Sequence, residues 1–255
     1  MKKARDPLRR DLITVFEYGL RFGNKLDDAG NPNERLAALC PGCEAAMHTK
    51  GENNYGSVDA IFSHAPAGWN APWCPLKESA AFRYQHLTPV APDVEAGRRL
   101  RANFMRNWRL HWSLIKWLVP YPDIEVFIKW IHTADKLNIW QHRNFPENMV
   151  PYVLVTLGEI RPPTGKPAMR ADARKHTVRF MFDGRVRGID DLWIRANGAV
   201  RLLEARYKPA IPPERVASEL IDIFDREIDL DFLSKGVINP PNAHQIKRMW
   251  EEFSA

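Results

Sequence analysis

Four side chains in the first third of the chain have the types and spacing to hold a metal ion: Cys40-Pro41-Gly42-Cys43, then His64, then Cys74. Two thiolates three residues apart across a glycine-containing knuckle can grip one side of Zn²⁺, and two later ligands close a tetrahedron. The 20 residues between Cys43 and His64 leave room for a short hairpin, and the set uses every cysteine in the chain. Three cysteines would leave one thiol over in any disulfide framework. Two alternatives stay open: a redox pair or three buried thiols in place of a metal site, and His48 in place of His64 as the fourth ligand. A closed four-ligand site has no open position for a substrate, so the expected zinc is structural.

A second constellation carries carboxylates. Asn197-Gly198 falls between two β-rich runs, residues 188–195 and 200–208, and both turn residues tolerate positive φ, which makes a hairpin signal. A two-residue turn there sets Asp191 opposite Glu204, puts Arg206 and Lys208 on the face of Glu204, and turns Leu192, Ile194, Leu203, Ala205 and Tyr207 the other way. Opposed carboxylates repel unless a cation lies between them, which is the requirement of a Mg²⁺-dependent phosphodiesterase. Asp191, Glu204 and Arg206 are therefore the candidate catalytic residues, with Mg²⁺ as the candidate ion. The competing reading is a solvated hairpin face whose acids are balanced by Arg195, Arg206 and Lys208.

The knuckle Cys40-Pro41-x-Cys43, followed by Phe62-Ser63-His64 and Cys74-Pro75-Leu76-Lys77, resembles the N-terminal zinc module of the CoiA-like competence protein family. Ile61 stands where that family's first histidine would be, so Phe62 and His64 carry the match, over roughly residues 10 to 90. The resemblance implies a PD-(D/E)xK nuclease-like domain after the zinc module, intact or degenerate, in which Asp191 and Glu204 would be the acidic pair. Arg206 departs from it, because the motif usually has Lys there and a guanidinium does not readily lose a proton to act as a base. Arg206 could still bind phosphate, or Lys208 stand in. Glu78-Ser79 and His86 echo the family's acidic helix at the wrong spacing.

The elements that must position these residues read as α+β. Residues 11–22 alternate like a strand or strand pair. Residues 23–92 are broken by Gly, Pro and Asn and need the metal as a staple. Residues 92–118 form a helix opened by Pro92-Asp93 and closed before Pro120, with Leu100, Phe104, Trp108, Trp112 and Ile115 as its buried stripe. Residues 124–140 continue a Trp-rich helical middle, with His132 and His142 as ordinary residues on it, and residues 150–160 extend its apolar content. A Pro-rich break at 161–167 precedes strands at 178–182, 188–195 and 200–208. A helix from Glu214 to Phe232, with Val216, Leu220, Ile223 and Phe224 on one side, covers that layer, and a short helix at 244–253 ends the chain. The expected organisation is thus a zinc-ribbon-like module with N-terminal strands over 1–91 and a helical plus β-hairpin domain over 92–255.

Hydrophobic residues at 45% and charged residues at 27% exclude a mainly disordered or fibrous chain. No run approaches the length of a membrane span and no secretory signal opens the chain, which reads as cytoplasmic. Lys plus Arg number 37 against 31 for Asp plus Glu, a formal +6, so polyanions attract it. Arg98, Arg99, Arg101, Arg106 and Arg109 on the long helix could track a phosphate backbone, and among these Arg98, Arg101, Arg106 and Arg109 are the candidate nucleic-acid contacts. Arg170, Arg174, Lys175, His176 and Arg179 could extend the patch, whereas Lys2, Lys3, Arg5, Arg9 and Arg10 read as a frayed terminus. Trp69 and Trp73 wall the zinc module or offer a stacking surface. The expected function is a zinc-stabilised nucleic-acid-interacting protein resembling CoiA-like proteins, with or without metal-dependent nuclease activity; a protein-binding adaptor or inhibitor with structural zinc is the alternative.

Overall fold

Asp93 accepts the Ala96 N–H at 2.9 Å and starts the longest helix of the protein, α2 (Val94–Leu118). The structure, a computed structural model, describes residues 1–52, 60–64, 74–76, 87–171, 173–184, 186, 188–192, 200–209 and 220–254. Phe104, Trp112 and Ile115 of α2 are fully buried, with Leu100 and Trp108 packed beside them, as the stripe requires. Against them lie α3 (Ile124–Lys136), capped by Asp123, and the short, wholly buried α4 (Val150–Val155). Trp130 and Trp140 fill the same core. The C-terminal α5 (Ala243–Phe253) begins on a capping box between Asn242 and Gln245 and lays Met249 on this layer.

Ahead of the helices stand β1 (Lys3–Arg5), β2 (Leu12–Thr14), α1 (Val15–Phe22), β3 (Ala38–Leu39), β4 (Ala46–Lys50) and β5 (Ile61–His64), whose strands form one antiparallel sheet in the order β2-β1-β3-β4-β5. After them come β6 (Glu159–Ile160), β7 (Thr177–Phe182), β8 (Leu202–Tyr207) and β9 (Leu220–Arg226), a second antiparallel sheet in sequence order. Register partners share a face, so Val178, Phe180, Phe182 and Leu202 turn to the helices. Met181, Leu203, Ala205, Tyr207 and Ile223 turn the other way and are closed over by Leu12 and Leu76. This sheet is therefore a middle layer between the helices and the N-terminal sheet.

Four expectations are corrected. Residues 15–22 are helix and not strand, because Thr14 and Glu17 make a capping box that starts a turn. Of the helix expected from Glu214 to Phe232, residues 220–226 are strand β9, since Leu220, Ile223 and Phe224 serve the two faces of a sheet edge and not one helical stripe; residues 211–219 lie outside the described residues. The covering layer comes from α2, α3, α4 and α5 instead. The break at 161–167 is a connection within one sheet, because β6 before it pairs with β7 after it. The basic N-terminus is anchored: Arg5 is 2% exposed and forks onto Asp225 at 2.8 and 2.5 Å, Lys3 reaches Asp222, and the terminal ammonium donates to the Phe62 carbonyl at 2.7 Å.

Candidate functional site

The knuckle sits in the turn between β3 and β4, where Glu44 takes φ +60 and the Glu44 N–H donates back to the Cys40 carbonyl at 2.8 Å. β5 brings His64 alongside, in register with Met47, and the chain returns at Cys74. The ligand atoms of Cys40, Cys43, His64 and Cys74 all lie within 4.8 Å of one another, with Cys40 Sγ to Cys74 Sγ at 3.6 Å and Cys43 Sγ to His64 Nε2 at 3.3 Å. Ligands arranged tetrahedrally at about 2.3 Å (sulfur) and about 2.0 Å (nitrogen) stand roughly 3.5–3.8 Å apart, so this group could hold a metal ion and its geometry is consistent with zinc. His48 neighbours Met47 on β4, and alternation places it on the other face from His64, which leaves His64 as the ligand. Hydrogen bonds from the Cys40 and Cys74 thiols pull the Cys43 thiol down to about 2, the hydrogen bond to Cys43 pushes Cys40 up to about 11, and hydrogen bonds with Cys40 and then Cys43 push Cys74 higher still. A dication removes the penalty for ionising all three.

The knuckle is seated on the middle sheet. A Cβ on Gly42 would stand 2.9 Å from Leu76 Cγ, so a larger residue there would force the Leu76 side chain to shift where the knuckle closes over the Cys74-Pro75-Leu76 turn. Just past β7, the Gly184 N–H donates to the Gly42 carbonyl, and a Cβ there would meet Cys43 Cα and Gly42 O at 2.8 Å each. Beside this contact Arg201 donates to Glu44 at 2.7 Å, and the buried Asp183 carboxylate accepts the Arg201 N–H at 3.1 Å. Neither Gly184 nor Arg201 stood out in the sequence; Asp183-Gly184 after a strand was the available signal.

Asp191 and Glu204 are not opposed. Asp191 lies in a 3-10 turn, Ile189–Leu192, where its carboxylate accepts the Gly188 N–H at 2.9 Å. Both edges of β8 are already taken, Glu204 standing opposite Phe180 on β7 and Phe224 on β9. The Asn197-Gly198 turn, with Trp193, Ile194 and Arg195, lies outside the described residues. Glu204 is 3% exposed, and its two oxygens accept from Arg206 Nε at 2.7 Å and Arg226 Nε at 2.6 Å. A carboxylate so enclosed by guanidiniums is a buried ion pair and not a Mg²⁺ ligand, and Arg206, stacked 4.0 Å from the Phe224 ring centroid, is its partner and not a base.

The arginines of α2 divide. Arg101 forks onto Asp135 of α3 at 2.7 and 2.8 Å and is a strut, and Arg98 pairs with Glu95 one turn away. Arg106 and Arg109 are exposed, as is Arg99, and among the described residues none of the three makes an ion pair, although the charge of Arg106 reaches Glu147. Arg106 donates to Asn103 and Arg109 leans over Trp108. Two histidines are more than ordinary core. His111 is fully buried between Phe104 and Phe232 and meets Glu147 at 3.2 Å, and His142 bridges Asp190 and the Leu87 carbonyl at 3.0 and 2.8 Å. His132 pairs with Glu252 near the surface. Trp69, Trp73, Glu78, Ser79 and His86 lie outside the described residues. Among the described residues no helix is long and apolar enough to cross a membrane. Comparisons with protein-family models, with curated proteins and with solved structures find no match for this chain.

Proposed function

We propose that this chain is a zinc-stabilised nucleic-acid-interacting protein of the kind its knuckle resembles, the CoiA-like proteins, acting by binding and not by PD-(D/E)xK cleavage at Glu204. The observation that carries the reading is the exposed α2 face, where Arg99, Arg106 and Arg109 make no ion pair among the described residues, on a chain of net +6. At about 1.5 Å rise and about 100° per residue the three fall within an arc of about 80° on one side of the helix, roughly 15 Å long, enough to meet successive phosphates. Zinc on Cys40, Cys43, His64 and Cys74 supports this indirectly: it holds the N-terminal sheet on the middle sheet, which in turn backs the helices.

Binding of a hydroxyl-ended oligonucleotide by zinc-loaded protein, measured against salt, tests the reading. Affinity falls steeply with salt for the wild type, and replacing Arg99, Arg106 and Arg109 by Ala flattens the log–log slope by about 2 on single strands. A second reading, a protein-binding adaptor with structural zinc, is favoured by Phe16 and Leu20, one turn apart on α1 and 75% and 73% exposed. A salt-independent or absent nucleic-acid interaction moves the weight to that surface.

A further inference from the structure

A cavity of about 420 Å³ opens beside Glu204, between the end of α2 and the segment that leads into β7. Its cationic wall holds Arg174, Lys175, Arg206 and Arg226, four full positive charges, with the imidazole of His176 beside them; the one carboxylate among its described lining residues is Glu204. Glu204 takes the Nε–H of both Arg206 and Arg226 and so sets the two guanidiniums side by side, with further N–H donors to spare. Arg174 comes from the other side. Its terminal nitrogens donate to the Pro120 and Arg161 carbonyls at 2.7 Å each, which fix its place without neutralising it, and its buried Nε–H has no partner among the described residues. Lys175 is exposed and His176 half-buried, and among the described residues neither makes a hydrogen bond or ion pair. The opposite wall is apolar, with Leu118 and Val178.

We propose that this cavity binds a phosphate monoester, carried on a free mononucleotide or on the end of a nucleic-acid strand. Three charges in excess of Glu204 call for more than one negative charge in return. A phosphate monoester supplies about −1.5 to −2 with three acceptor oxygens, where a carboxylate supplies only −1. Guanidiniums arrayed with spare N–H groups fit phosphate oxygens, and the apolar wall and the volume suit a sugar or base. Burial first, with the charge of Arg206 adding to it and Glu204 only partly opposing it, holds both the Arg174 guanidinium and the His176 imidazole below their ordinary values. This proposal goes beyond the α2 face and does not depend on it.

Calorimetry with zinc-loaded full-length protein tests it, using adenosine 5′-monophosphate, and a 5′-phosphorylated oligonucleotide beside its 5′-hydroxyl twin. The expected result is that the monophosphate binds, or that the phosphorylated strand binds tighter than its twin; the first assigns free nucleotide as the source and the second the strand end. Lys175→Glu, at an exposed side chain with no partner to lose among the described residues, weakens the phosphate-dependent part of this binding about tenfold or more, as does Arg174→Gln, while the Arg99, Arg106 and Arg109 triple variant keeps the monophosphate binding or the difference between the phosphorylated strand and its twin. Should Arg174→Gln fail to fold, Lys175→Glu still decides. Absence of any phosphate-dependent binding, or binding unchanged in Lys175→Glu, overturns the proposal. Salt-dependent binding of the hydroxyl-ended strand through α2 would survive that outcome, so the two failures are distinguishable.

Discussion

Replacing Gly184 by Ala probes the joint between the metal knuckle and the middle sheet. The added Cβ would stand 2.8 Å from Cys43 Cα, 2.8 Å from the Gly42 carbonyl oxygen and 3.0 Å from Cys43 Cβ. Two of these are backbone atoms, so no side chain can rotate away; the turn after β7 must lift and its N–H bond to Gly42 must stretch or break. Overpacking of this kind costs about 1–3 kcal/mol and the weakened hydrogen bond about 1 kcal/mol, while the stiffer unfolded chain returns about 0.4–1 kcal/mol. A net loss of about 2 kcal/mol lowers the thermal midpoint by about 4–8 °C in a chain of this size. The clash falls on the residue that carries a ligand thiol, so zinc also leaves faster. Thermal unfolding and the rate of zinc transfer to a chromogenic chelator measure the two effects. A Gly184→Ala protein with the wild-type midpoint and release rate refutes the seating of the knuckle on the sheet.

Other expectations follow from the same contacts. Cys74→Ser lowers bound zinc below one per chain by elemental analysis, and chelation lowers the wild-type midpoint in a way that added Zn²⁺ reverses; a chelator-insensitive midpoint contradicts a structural ion. Glu204→Gln leaves two guanidiniums without their carboxylate and costs about 1–3 kcal/mol in urea unfolding, discounted because the arginines are about a third exposed, while Mg²⁺ leaves the wild-type midpoint unmoved. A Mg²⁺-dependent midpoint that Glu204→Gln abolishes would restore the metal reading of that residue. Burial holds the His111 imidazole below its ordinary 6.5, so on acidification the unfolded chain takes the proton first. The His111 contribution is therefore complete above pH 6.5 and declines as pH falls from there toward the folded value. Glu147, held low chiefly by its hydrogen bond from His111, loses its contribution further down. His111→Gln flattens the upper part of this decline in midpoints measured between pH 7.5 and 5.5, and a variant whose loss over that range equals the wild type's contradicts it.

The sequence was most legible where one local pattern had one solution. Asp93, the aromatic stripe and Pro120 define α2 nearly to the residue, and three cysteines with one histidine at ribbon spacing define the metal group. Legibility failed where one pattern fits two periods. Val216, Leu220, Ile223 and Phe224 satisfy a helical stripe, yet residues 220–226 are drawn into the sheet by pairing with β8, a partner distant in sequence. Residues 15–22, rich in aromatic and β-branched side chains, look like strand until the capping box of Thr14 and Glu17 is weighed. Asp191 and Glu204 were matched through a hairpin rule that cannot see β7 and β9 already occupying both edges of β8. Gly184 and Arg201 escaped notice because their importance lies in contacts with Gly42 and Glu44, more than 140 residues away, and chain position carries no record of that.

The most direct test of nucleic-acid binding on α2 is the salt dependence of oligonucleotide affinity in zinc-loaded protein, wild type against the Arg99, Arg106 and Arg109 triple Ala variant. The expected result is a steep wild-type slope that flattens by about 2 in the variant on single strands. Equal slopes, or no binding by the wild type at low salt, would contradict it.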